Sequence, residues 1–153
     1  MKKSLFFLLF IGLLTWSCDD QQTQAERDLN TIRQYIEDNN LNAQEHPSGL
    51  YYVVDEPTAG DEFPTTRSRV SVRYKGYFTD GTVFDESPNN NTVEFNLNGG
   101  VIAGWTIGIP LIKKGGTGTL IIPSALGYGF FGSGSVPPNT VIIFDVELVN
   151  FTG

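Results

Sequence analysis

The chain has 153 residues, 40% hydrophobic and 12% aromatic, with 17 acidic against 10 basic side chains and a net charge of -7. That length suits one domain with a modest core, and the acidic balance excludes the basic footprint of a nucleic-acid-binding surface. A single cysteine excludes an intramolecular disulfide.

The opening MKKSLFFLLFIGLLTWSC has a positive end at Lys2 and Lys3, then an apolar run from Leu5 to Leu14. This is the pattern of a secretory signal peptide over residues 1–17, too short for a comfortable membrane span. Cys18 stands where a lipoprotein signal peptidase would leave a lipid-bearing first residue, although Trp16 is bulkier than such a box usually carries. Asp19 and Asp20 behind it resemble the export signals of lipoproteins in some Gram-negative phyla. Lipid chains contribute about 0.8 kcal/mol per buried methylene. The expectation is a soluble domain held in the cell envelope by a lipid anchor, at the periplasmic face or the outer-membrane surface.

Residues 18–48 read as a tether and a short helix. Asp19 to Gln24 are polar and unpatterned, whereas from Ala25 to Asn40 the residues Leu29, Ile32, Tyr35 and Ile36 recur at helical spacing. The apolar stripe is expected to pack against the domain, or alternatively to dimerise. His46, the only histidine, falls in a connector and is read as a surface residue rather than a base.

Residues 49–153 read as one domain. GLYYVVDEP is strand-like, and TAGDEFPTTRSR is a loop that Pro64 interrupts. Val70, Val72 and Tyr74 alternate with Ser71, Arg73 and Lys75, as in a strand with one buried face. Asp80-Gly81 marks a hairpin turn, after which Val83 and Phe84 lead back and DESPNNN opens a loop. Val93, Phe95 and Leu97 alternate again. VIAGWTIG supplies a helical turn or two bearing Val101, Ile102 and Trp105 on one face. Gly104 and Gly108 weaken a free helix by about 1 kcal/mol each, so it must be packed across a sheet. LIKKGGTGTLIIP gives a turn and a strand, SALGYGFFGSGSVPPN a long glycine-rich loop, and TVIIFDVELVNF a closing strand. That strand places Ile142, Phe144, Val146 and Leu148 opposite Asp145 and Glu147. The sum is an α+β fold: about five antiparallel strands with one short packed helix and an N-terminal helical extension.

The chemistry is concentrated from Val70 to Trp105. Tyr74, Phe84 and Phe95 recur at strand spacing and Trp105 closes the set, so the stretch describes an aromatic cup with one acid, Asp85, beside it. No serine-histidine or cysteine-histidine pairing accompanies it, which argues against a hydrolase. Asp145 and Glu147 lack the histidine or cysteine that a metal enzyme would add, so no metal or other cofactor is expected.

With those residues in place, the stretch from about Gly49 to Phe151 resembles the FKBP-type peptidyl-prolyl cis-trans isomerases. Six motifs carry the likeness in order: VSVRYKGYFTDGTVFDES, FNL, VIAGW, KKGG, IIPSALGYG and VPPNTVIIFDVEL. The resemblance implies a twisted antiparallel sheet wrapped around a short helix, with a proline-binding pocket between them. It implies catalytic roles for Tyr74, Phe84, Asp85, Trp105, Tyr128 and Phe144, and substrate contacts from Phe95, Val101, Ile102 and Val136. Trp105 would floor the pocket, while Tyr128 and the Ile102 amide would hydrogen-bond ligand carbonyls. The implied partners are proline-containing polypeptides, here exported proteins, and macrolide inhibitors of the rapamycin type. The alternative is a proline-segment binding module or holdase with little catalysis. Arg73, Val93 and Gly127 differ from residues common in the family, and Phe130 and Phe131 are added in a slightly shorter loop.

Overall fold

A computed structural model describes residues 22–55 and 61–153. The expected signal peptide, Cys18 and the first tether residues lie outside the described residues.

The first helix, α1 (Gln24–Asp38), starts at a reciprocal cap: the Glu26 amide donates to Thr23 Oγ1 at 3.3 Å, and the Thr23 amide donates to Glu26 Oε2 at 2.7 Å. This Thr-x-x-Glu box satisfies two amides at once and sets the start one residue before Ala25. The helix stops at Asp38, two residues before the expected end, and Asn40 takes a left-handed φ of 50°.

Seven strands form one antiparallel sheet: β1 (Gln44–Glu45), β2 (Tyr51–Asp55), β3 (Arg69–Tyr77), β4 (Val83–Glu86), β5 (Val93–Asn96), β6 (Thr117–Ile122) and β7 (Ile142–Thr152). Their order is β1-β2-β6-β7-β3-β4, and β5 also pairs with β3. Seven strands stand where about five were expected, for two reasons. The residues Gln44 and Glu45, expected as connector, pair with Tyr52 and Tyr51. In addition β4 and β5 divide one side of β3, β5 pairing with Arg69 to Val72 and β4 with Lys75 to Tyr77. At the centre, β3 pairs with β7 from Arg69 opposite Thr152 to Tyr77 opposite Ile143, with one bulge between Ser71 and Val72.

The sheet is covered on both faces. On one lies the second helix, α2 (Ala103–Gly108), over a core that includes Val70, Val72, Leu120, Ile122, Ile142, Phe144, Val146 and Leu148. On the other lies α1, where Ile32 packs with Tyr51, Ile121, Val141 and Ile143. Consecutive buried residues in β6 and β7, such as Ile142, Ile143 and Phe144, therefore feed two cores from one strand. The stripe on α1 is spent on its own domain.

How closely α2 lies on the sheet is set by its glycines. A Cβ on Gly104 would stand 2.7 Å from the Ile122 side chain, and one on Gly108 would stand 2.7 Å from Leu120. Both are below van der Waals contact, so alanine at either position forces the buried Ile122 or Leu120 side chain, or the helix itself, to shift. In a free helix Gly→Ala would gain about 1 kcal/mol. Here Gly108→Ala is expected to lose about 1–3 kcal/mol through overpacking, read as a lower urea midpoint at unchanged slope. A stabilised variant would contradict the contact.

Candidate active site

Trp105 is the centre of the site. It sits on α2, almost wholly buried, and three rings from three strands stand edge-on to it: Tyr74 of β3 at 5.2 Å, Phe95 of β5 at 5.0 Å and Phe144 of β7 at 5.2 Å between ring centroids. Strand alternation puts Tyr74 on the α2 face with Val72 and Val70, and register brings in the others, Phe95 opposite Val70 and Phe144 opposite Gly76. Gly76 is necessary there, because a Cβ would come within 2.6 Å of Phe144 and 2.8 Å of Phe84. Edge-to-face pairs contribute about 0.5–1.5 kcal/mol each beyond their buried area, so the rings hold one another in place.

The rings enclose a cavity of about 290 Å³ lined by Tyr74, Asp85, Phe95, Gly100, Val101, Ile102, Trp105, Tyr128 and Phe144. Two of the expected residues are not part of this lining. Phe84 packs its ring on Phe144 at 5.5 Å and Phe78 at 5.0 Å, and Val136 is 5% exposed within the main core. Gly100 was not among the residues expected from sequence; it takes a φ of 89° in the turn leading into α2, and the Gly99-Gly100 pair was its signal. Cys18 lies outside the described residues, and His46 lies in the β1–β2 turn with Nδ1 2.9 Å from Ser48 Oγ.

The polar edge is made of few groups. The Tyr74 hydroxyl donates to Asp85 Oδ2 at 3.1 Å. Burial, and then that carboxylate, push the Tyr74 phenol up to about 12. Burial and the charge of Asp85 raise Tyr128 as well, so both remain neutral donors through the physiological range. Ile102 caps α2: its carbonyl accepts from the Trp105 and Thr106 amides at 3.0 and 3.3 Å, while its own N–H lies outside the helical ladder. Trp105 Nε1 is buried with no hydrogen-bond partner among the described residues.

Such an arrangement suits an apolar ring with carbonyls at its edge, and among the described residues that line it no nucleophile is paired with a base. Among the described residues, no group of three or more His, Cys, Asp and Glu is arranged to hold a metal ion. A larger groove of about 580 Å³ crosses the opposite face of β3 and β7, but charged side chains line it, and Arg73 there is paired with Glu147 at 2.8 Å.

The sequence pattern of the FKBP-type peptidyl-prolyl cis-trans isomerases matches residues 60–149. The chain is 41% identical over 103 residues to the FKBP-type peptidyl-prolyl cis-trans isomerase FkpA of Buchnera aphidicola, covering 67% of this chain and 41% of that protein. It spans about two fifths of the length of the curated relatives it matches. Among solved structures, the crystal structure of FkpA from Escherichia coli superposes with a TM-score of 0.72 at 36% identity, over 84% of this chain and 63% of that one. A peptidyl-prolyl cis-trans isomerase from Pseudomonas syringae pv. tomato gives 0.70 at 30% identity, over 86% of this chain and 98% of that one.

The raised phenols give stability a pH dependence of definite sign. Below about pH 10 Tyr74 is neutral in both the folded and unfolded chain. Between about 10 and 12 the unfolded chain loses the proton while the folded one keeps it, so stability falls as pH rises through that window. Urea midpoints measured from about pH 8 to about pH 12 should fall less steeply in Tyr74→Phe than in the wild type. Parallel curves would show that the Tyr74 phenol does not contribute.

Proposed function

The chain belongs to the FKBP-type peptidyl-prolyl cis-trans isomerases, and on that premise we propose that it isomerises Xaa-Pro bonds of polypeptides in the cavity over Trp105. The observation that carries the reading is the cavity itself: Tyr74, Phe95, Trp105 and Phe144 form its walls and floor, with Asp85, Tyr128 and Ile102 at its edge.

Rotation about an amide has a barrier of about 18–20 kcal/mol, because planarity carries the resonance. At the perpendicular geometry that resonance is lost, and with it much of the charge separation between oxygen and nitrogen. An apolar ring cage therefore disfavours the planar ground state relative to the twisted one. Differential binding of this kind lowers the barrier without moving a proton. A gain of about 5 kcal/mol corresponds to several thousandfold in rate.

In this scheme the prolyl ring lies on Trp105, enclosed by Phe95 and Phe144. Phe84 packs edge-on against Phe144, and Val136 is part of the buried core. Tyr128 and the Ile102 amide hold the flanking carbonyls, Val101 narrows the entrance, and the Tyr74–Asp85 pair fixes the polar edge. The substrates are proline-containing segments of exported proteins, with the domain tethered in the cell envelope through a lipid on Cys18. That reading is supported by the order of charged end, apolar run and lone cysteine in residues 1–18.

A second reading, retention of proline-containing segments with little turnover, draws on one specific feature. Phe130 and Phe131 are 71% and 88% exposed on the loop that also carries Tyr128, an adhesive surface for unfolded chains.

The deciding measurement is protease-free cis-to-trans isomerisation of a short Xaa-Pro-Phe peptide by the detergent-purified full chain. Acceleration blocked by a rapamycin-type macrolide is expected, with Tyr128→Phe weakening peptide binding by about 0.5–1.5 kcal/mol, the net worth of one hydrogen bond. No acceleration, with peptide still bound, would establish the second reading instead. For the anchor, fatty-acid label incorporated by the wild type should be lost in Cys18→Ala; label retained by the variant would refute lipidation at that residue.

A further inference from the structure

Asp28 is a carboxylate 4% exposed that the proposed chemistry does not use. It projects from α1 into the domain, where its Oδ2 accepts from both the amide and the hydroxyl of Ser124, at 2.7 and 2.6 Å. Its other oxygen accepts from Gln24 Nε2 at 2.6 Å. Buried carboxylates are costly unless hydrogen-bonded, and two of this one's three bonds come from a residue 96 positions away.

Ser124 is the point from which the Tyr128 loop is built. Its carbonyl accepts from the amides of Gly127 and Gly129, at 3.0 and 2.8 Å, the two residues that bracket Tyr128. The far stem is tied back in the same way: the Asn139 amide donates to the Gly129 carbonyl at 2.8 Å, and the Asn139 carbonyl accepts from Gln24 Nε2 at 3.3 Å. Two residues one helical turn apart on α1 thus hold both stems of the loop that puts Tyr128 into the cavity.

We propose that Asp28, assisted by Gln24, is a positioning residue for the cavity: α1 clamps the loop from 124 to 139 and so fixes Tyr128 and the exposed Phe130 and Phe131. This rests on the cavity being the isomerase site. The N-terminal helix is then a working part of the site, because small displacements of a group that orients substrate have disproportionate effects on rate. A helix that only stabilised the fold would not need to bury a charge to reach this one loop.

The test uses the full chain and two readouts. In Asp28→Ala, amide hydrogen exchange at Gly127 and Gly129 should quicken by about tenfold while Ile143 and Val146 of β7 keep their protection, as local opening requires. kcat/KM for the Xaa-Pro peptide should fall by about three- to tenfold. That loss should largely vanish in a Tyr128→Phe background, the non-additivity expected of residues acting through one another. Asp28→Asn, which keeps an acceptor oxygen for Ser124, should restore most of the protection. Unchanged exchange at Gly127 and Gly129, equal acceleration throughout β7, or a kinetic loss of the same size in both backgrounds would overturn the proposal. If Asp28→Ala does not fold, Gln24→Ala tests the far stem: faster exchange at Asn139 supports the clamp and unchanged exchange refutes it. A wild type that binds but does not isomerise would defeat the preceding functional reading, and the exchange measurements would then decide the clamp alone.

Discussion

The close approach of α2 to β6 is the constraint on which the rest of the molecule depends. With no side chain at Gly104 or Gly108, the helix seats directly on Ile122 and Leu120, and that depth brings Trp105 down among the strand-borne rings instead of leaving it above them. Once the indole is there, the positions of Tyr74, Phe95 and Phe144 follow, because each ring meets it edge-on at 5.0–5.2 Å. The cavity is the space left over the indole after this packing is complete. Its walls are core residues, so the fold and the site are stabilised by the same contacts.

The second organising feature is that the sheet is buried on both faces for part of its width. Ile121 and Ile143 point away from α2 and would be exposed without α1, which covers them with Ile32. Polar groups join there as well: the Tyr35 hydroxyl donates to that of Tyr77 at 3.4 Å, and Tyr77 donates to Asp145 at 3.2 Å. Burial, followed by the Tyr35 contact and the Asp145 charge, raises the Tyr77 phenol far above its ordinary range. The strands thus carry the ring-lined cavity on the α2 side and the docking face for α1 on the other. Asp28 reaches Ser124 just beyond the end of β6.

The electrostatics of the two concave surfaces explain why only one suits the proposed chemistry. The groove over Arg73, Lys75, Asp145 and Glu147 is roomier, but its charges are solvated or paired with one another, and a twisted amide gains nothing from such surroundings. The ring-lined cavity offers neutral donors at its edge and low polarity at its floor, which is the differential a charge-reducing transition state requires.

Sequence alone determined which residues alternate and where the aromatic side chains cluster. Period-two patterns in VSVRY and VIIFDVEL placed Tyr74 and Phe144 on inward faces, and the solitary acid beside aromatic residues argued against a hydrolase. Ordered motifs at compatible spacing identified the family. Strand number was less legible, because whether β4 and β5 count as one side of β3 or two depends on pairing partners far away in the chain. Phe84 and Val136 were expected at the cavity by motif and are not part of its lining; which rings reach it depends on orientations fixed by neighbours such as Gly76. The meaning of Gly104 and Gly108 was half visible: sequence showed that the helix must be packed, and only the fold showed Ile122 and Leu120 as the reason. Nothing in the sequence sets Asp28 apart, since a carboxylate on a helical pattern is ordinarily solvated. Only tertiary structure could bring Ser124 to it, because the contact spans 96 residues and exists only once α1 has docked on a completed sheet.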